Sequence, residues 1–140
     1  MNTASLTRFT YAIVVLLVIQ FVVGSAMTIF PPSGPAGKYS ALDYVILAVH
    51  VIIGTMILGV AVRLRIGMTH FKEPGMLKPA AAGGAAVGIA YLSGIILVLT
   101  NLNIFSYIMA LGFVAAMVAY AFLLGFLNSQ RMRGAAISRG

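Results

Sequence analysis

One imidazole inside a long apolar run is the first place in this chain where chemistry could happen. His50 stands in Val49-His50-Val51-Ile52-Ile53-Gly54, and no other acidic or basic side chain lies between Asp43 and Arg63. An ionisable group at such a position is expensive in lipid, rare, and a functional candidate by default; the ring is expected to be neutral there. Counting 1.5 Å per residue from the outer ends of the apolar segments puts His50 about 13 Å deep, Gln20 about 15 Å and Tyr91 about 13 Å. Three polar side chains from three different segments therefore share one layer.

Three kinds of chemistry suit such a layer. Hydrogen bonds among polar side chains would fix helix register, worth about 0.6 kcal/mol each in a membrane interior. A neutral imidazole in a bundle core is also an axial ligand for haem iron, and Gly54, one turn from His50, would leave room for a porphyrin face. A proton relay would need an acid, but Asp43 falls at the outer boundary and Glu73 in a loop. Met109 and Met117 lie eight apart on one face of the last apolar segment; packing filler and weak metal ligation both suit them. His70, in Met68-Thr69-His70-Phe71-Lys72, reads as a solvated loop residue with no ligand spacing to His50.

The elements that must position these residues are four apolar segments, about 8–30, 41–62, 80–100 and 104–127. Each is roughly 21 to 24 residues, and about 20 residues of helix span the hydrocarbon core. Lipid offers the backbone no hydrogen-bond partners, so the segments are expected to be helices; the alternation of a membrane β-barrel is absent. Pro31, Pro32, Gly34, Pro35 and Gly37 end the first helix. Ser40-Ala41-Leu42-Asp43 matches a capping box, Glu73-Pro74-Gly75 breaks the second long loop, and Pro79 suits the first turn of helix three. Asn101-Leu102-Asn103 predicts a tight turn between antiparallel neighbours. Gly24-Ser25-Ala26 looks like a signal cleavage site, but the apolar run continues to Phe30, so helix one is expected to be retained. The expected fold is an all-α, four-helix transmembrane bundle, up-down-up-down, in one domain over 1–140.

Composition agrees. Hydrophobic residues make up 61% of the 140 and charged residues 8%, against about 25% charged in soluble domains; such a chain needs a lipid bilayer as partner. With no cysteine, disulfide, thiolate and iron–sulfur chemistry are excluded. The net charge of +7 is not a nucleic-acid footprint, because the charges flank the apolar segments. Arg8, Arg63, Arg65, Lys72, Lys78, Arg131, Arg133 and Arg139 fall on one side and Lys38 alone on the other. The positive-inside bias places both termini and the 63–79 loop on the cytoplasmic side of a cell membrane. Small residues one turn apart, Gly84-xxx-Gly88 and Ala90-xxx-Gly94 on helix three and Gly112-xxx-Ala116 on helix four, suit close helix packing within the chain, in a homodimer, or against other membrane subunits.

Over about residues 12–66 the chain resembles one four-helix half of the haem A synthase family: Gln20-xxx-Gly24 on helix one, a proline-containing outer loop, and His50-xxx-Gly54 on a second helix ending at Arg63. It is also similar to uncharacterised prokaryotic four-helix membrane proteins with a mid-helix histidine followed by glycine. The resemblance implies a b-type haem on His50. That family pairs this histidine with one on helix four; helix four here has none, so the other axial position would be open or supplied by Met117 or Met109. The family also carries a glutamate close before the histidine, where this chain has only Asp43, seven residues upstream.

Three functions follow. The first is a non-catalytic accessory or haem-binding module of a membrane redox, or respiratory, complex. A structural subunit without cofactor is the second, and a small transporter or channel the third, disfavoured because Gln20 cannot titrate. No buried carboxylate pair, nucleophile–base set or phosphate-cradling loop points to an enzyme.

Overall fold

In a computed structural model the chain is described over residues 3–29, 40–69 and 74–137, with side chains at 4–26, 40–69 and 75–132. It forms four helices: α1 (Thr3–Ile29), α2 (Ala41–Thr69), α3 (Pro74–Thr100) and α4 (Ile104–Ile137). Each is long and apolar enough to cross a membrane, and no strand occurs among the described residues. The proline-rich outer loop, His70, Lys72 and Glu73 lie outside the described residues.

The helices outrun the apolar segments that sequence alone delimits. α1 begins five residues earlier than expected, α2 continues past Arg63 and Arg65 to Thr69, α3 begins at Pro74 rather than near residue 80, and α4 continues past Arg131. Hydropathy marks where a helix leaves the hydrocarbon, not where its hydrogen-bonding stops; arginine and lysine are good helix formers. Pro74 therefore takes the first-turn place expected of Pro79, as its missing N–H allows. Pro79 lies inside α3, where it has no N–H to donate to the carbonyl four residues back.

The start of α2 matches the expected capping box. The Ser40 N–H donates to Asp43 Oδ2 at 2.7 Å, and the Asp43 N–H donates to Ser40 Oγ at 3.3 Å. Ser40→Ala is expected to cost about 1 kcal/mol and to speed hydrogen exchange in the first turn of α2, leaving the other helices unchanged. The α3–α4 turn uses Asn101 at φ 55°, a left-handed helix end that asparagine tolerates; its N–H donates to the Leu97 carbonyl at 2.8 Å.

Among the described residues each helix touches two neighbours, in the cycle α1–α2–α3–α4–α1, and diagonal pairs do not meet. Buried side chains recur three and four apart: Leu6, Thr10, Ile13, Leu17 and Gln20 on α1; Ile57, Ala61, Leu64 and Met68 on α2; Leu123 and Leu127 follow Ala116 and Tyr120 on α4. This is the seam of a coiled-coil-like bundle. Between α3 and α4, glycines set the approach. A Cβ on Gly112 would lie 3.0 Å from the Ala86 carbonyl oxygen and 3.0 Å from Ala90 Cβ, and one on Gly83 would lie 2.8 Å from the Tyr120 ring. Gly75 meets Phe126, and Gly94 meets Met109, so partners on α4 fall in number as those on α3 rise. Of the three small-residue pairs that spacing singles out, Ala90 and Gly112 contribute to the close contact, whereas nothing lies within 4 Å of a Cβ on Gly88.

All fully buried residues of α2 lie at or after Ile57. The core is therefore closed around Leu6, Leu64, Met68, Ala80 and Leu127. Toward the start of α2 the bundle is less tightly filled, and that end holds the site.

Candidate functional site

Two polar-xxx-glycine pairs interlock across the α1–α2 interface. On α1, Gln20 precedes Gly24 by one turn; on α2, His50 precedes Gly54 by one turn. The His50 ring lies against Gly24, where a Cβ would come within 3.0 Å of its Cε1 atom. Reciprocally, the Gln20 amide lies against Gly54, with Nε2 only 3.3 Å from where a Cβ would stand. The missing side chains let each polar group sit in a notch of the facing helix. Gln20 Nε2 donates to the His50 backbone carbonyl at 2.9 Å, an extra bond on a helix carbonyl rather than a side-chain pair.

Tyr91 enters from α3. Its ring approaches Gly54, 3.8 Å from a Cβ there, and its hydroxyl lies 3.1 Å from Thr55 Oγ1. Thr55 Oγ1 itself donates to the Val51 carbonyl at 2.9 Å, which leaves Tyr91 as the donor in their pair. Depth counting puts Tyr91 level with His50; the contacts put it level with Gly54 and Thr55, one turn further along α2. Equal counts from helix ends mislead because the helices start at different heights.

Gln20, Gly24, His50, Gly54 and Tyr91, but not Thr55, line a cavity of about 390 Å³ with walls from all four helices. Met109 and Phe113 of α4 are also part of its lining. Met109 Sδ sits over Gly94, 3.3 Å from a Cβ there. Met117 does not line the cavity and packs on the buried core. The rest of the lining is mainly aliphatic, with no arginine, lysine, aspartate or glutamate among the described residues.

Two polar atoms here are buried without a hydrogen-bond partner among the described residues: Gln20 Oε1 and His50 Nδ1. Gln20 as a whole is 2% exposed. Such an atom costs about 1–3 kcal/mol. Sequence reasoning missed Thr55 and the role of Gly24. Both stand within one turn of residues it chose, but nothing in a sequence says which glycine faces which ring.

Haem fits this arrangement poorly. The face above Gly54, where a porphyrin was expected to lie, already holds the Gln20 amide and the Tyr91 ring. Among the described residues, no cationic side chain lines the cavity to hold propionates, and no second histidine lines it.

Together the helices and the buried polar notch have the make-up of a multi-pass membrane protein of the four-helix bundle class. Comparison with models of protein families, with curated proteins and with solved structures finds no match.

Proposed function

We propose that this is a four-span membrane protein that holds a lipid-soluble ligand in the cavity beside Gln20 and His50, as a non-catalytic module of a membrane redox system. The observation that carries the reading is an apolar cavity of about 390 Å³ walled by all four helices, with Gln20, His50 and Tyr91 among the residues that line it. Ligand sites are mostly apolar hollows of about 300–1,000 Å³ with a few placed polar groups, and this cavity is of that kind. The likeness of Gln20-xxx-Gly24 and His50-xxx-Gly54 to half of a haem A synthase supports the redox setting.

The helices run up-down-up-down with both termini on the cytoplasmic side. The contact order between α3 and α4 supports the alternation, as does Arg63 stacked 5.3 Å from the Phe9 ring while Gln20 meets His50. Eight of nine lysines and arginines on one side support the orientation.

A b-type haem on His50 is the second reading, favoured by the unpartnered Nδ1 atom; when bound it would supply one-electron redox chemistry. One purification separates the two. The visible spectrum is recorded, and a solvent extract of the protein is analysed by mass spectrometry. A colourless protein with a lipid-soluble molecule at near-stoichiometric level is the expected result, and that molecule is lost in Leu47→Trp, which puts an indole into the cavity. A haem spectrum abolished by His50→Ala selects the second reading. A bundle that carries nothing overturns both.

A further inference from the structure

Two neighbouring helices each place an arginine one residue beyond a run of hydrocarbon length. On α2, Arg63 follows Tyr44 to Val62, a stretch that rises about 28 Å. On α1, Arg8 precedes Phe9 to Ile29, a rise of about 31 Å. The hydrocarbon core of a bilayer is about 30 Å thick, so both guanidinium groups stand at the level of the lipid headgroups.

The two arginines come together at one ring. Arg63 Cζ lies over Phe9, 5.3 Å from the ring centroid, and Arg8 is the residue beside Phe9 on α1. Phe9 is half-buried and packs on the core, whereas Arg8 and Arg63 are exposed. The positive-inside bias accounts for the end of the bundle at which they fall, not for their meeting across the α1–α2 boundary. A cation over an aromatic face is held in place with its charge intact. Among the described residues no carboxylate neutralises the pair. Asp43 is about 30 Å away along α2 and is bonded to Ser40. Glu73, the other acid of the chain, lies outside the described residues and is one charge set against Arg8, Arg63, Arg65, Lys72 and Lys78. Arg65 is about 200° around α2 from Arg63, on another side of the helix.

From these observations we infer that Arg8, Arg63 and Phe9 form a site for the phosphate of an anionic phospholipid in the leaflet at this end of the bundle. A guanidinium matches phosphate with paired donors and, being planar, rests on an aromatic face as well. Height selects a lipid over a soluble acidic partner, because the site lies where phospholipid phosphates lie. Charge selects an anionic headgroup over a zwitterionic one, whose own ammonium would be brought to two uncompensated arginines; basic residues just outside membrane helices attract anionic lipid. The inference is independent of what the cavity beside Gln20 and His50 holds.

The chain has no tryptophan, so Phe9→Trp installs a single indole at the site and keeps an aromatic face under Arg63. The whole protein is placed in vesicles of phosphatidylcholine and phosphatidylglycerol, with one or the other lipid carrying brominated chains that quench the indole. Phosphatidylglycerol is expected to be preferred about tenfold at this position, the scale that one or two arginines supply. Tyr11→Trp, exposed and on the opposite face of α1, is expected to report a preference of about twofold or less, as distance from the pair weakens the attraction. In the Phe9→Trp background, Arg8→Gln and Arg63→Gln each lower the preference severalfold, and Arg65→Gln, an equal loss of charge on another side of α2, changes it far less. The same preference at both indoles, or equal effects of Arg63→Gln and Arg65→Gln, overturns the site in favour of a diffuse field. Loss of the preference in millimolar inorganic phosphate at constant ionic strength overturns the lipid as occupant. Should Phe9→Trp not fold, the unsubstituted protein is taken from vesicles of equal parts of the two lipids and its retained lipids are weighed by mass spectrometry: an excess of phosphatidylglycerol that falls in Arg63→Gln supports the site, and equal retention of the two overturns it.

Discussion

Gly112→Leu is expected to disrupt the α3–α4 pair, with a loss of stability of about 3 kcal/mol or more. Overpacking a filled core usually costs about 1–3 kcal/mol, and that range assumes side chains that can give way. Here the first added carbon would meet a backbone oxygen of Ala86 and the Cβ of Ala90, both at 3.0 Å, with the Ala90 nitrogen at 3.2 Å. None of these can rotate aside, so two helices must move apart, and the rest of the leucine widens the gap. In a membrane, where close backbone approach rather than water exclusion holds helices together, that separation removes much of the attraction. Gly125→Leu is the internal control: its Cβ meets nothing within 4 Å, and a change within about 0.5 kcal/mol is expected there. Unfolding in mixed detergent, followed by circular dichroism, gives both numbers. Equal effects at the two sites would show that the α3–α4 register described here is wrong.

Tyr120 is expected to respond to two substitutions with opposite signs. Its side chain is 0% exposed, its ring fills the notch at Gly83, and its hydroxyl has no partner among the described residues. Tyr120→Ala deletes the ring and is expected to cost about 3–5 kcal/mol, the range for emptying a large aromatic site. Tyr120→Phe keeps the ring and removes only the unsatisfied hydroxyl, so it is expected to be neutral or to stabilise by about 1–2 kcal/mol. The same unfolding assay reads both. A loss of more than about 1 kcal/mol in the phenylalanine variant would mean that the hydroxyl is hydrogen-bonded in the folded protein. Tyr120 also bears on the site. Ala116, one turn before it on α4, lines the cavity, so the ring packs where the hollow gives way to the closed core. The alanine variant is therefore expected to extend the cavity and loosen its selection of ligand.

Much of this architecture is legible in the residues alone. Runs of about twenty apolar side chains admit only helices in lipid, and Ser40 with Asp43 announces the start of α2 in a pattern that the bonds match. His50 and Gln20 stand out because a polar group in such a run has no ordinary reason to be there. Helix ends are less legible, as α2 and α4 show, because arginine can leave the hydrocarbon without leaving the helix.

Faces are not legible at all in these helices. Each is apolar on nearly every side, so its sequence carries no stripe to say which side turns inward. Spacing singles out Gly84, Gly88, Ala90, Gly94, Gly112 and Ala116 alike, and only the packed bundle shows that Gly112 meets Ala86 and Ala90 while Gly88 meets nothing. For the same reason the sequence could nominate Gln20, His50, Gly54 and Tyr91 without saying how they meet. It takes the packed bundle to turn the His50 ring onto Gly24, to send the Gln20 amide to a backbone carbonyl, and to leave its oxygen buried without a partner among the described residues. The number and nature of the helices are local matters of hydropathy and backbone hydrogen bonding, readable one segment at a time. Which polar atom ends without a mate depends on rotation and height between neighbouring helices, and those exist only once all four are together.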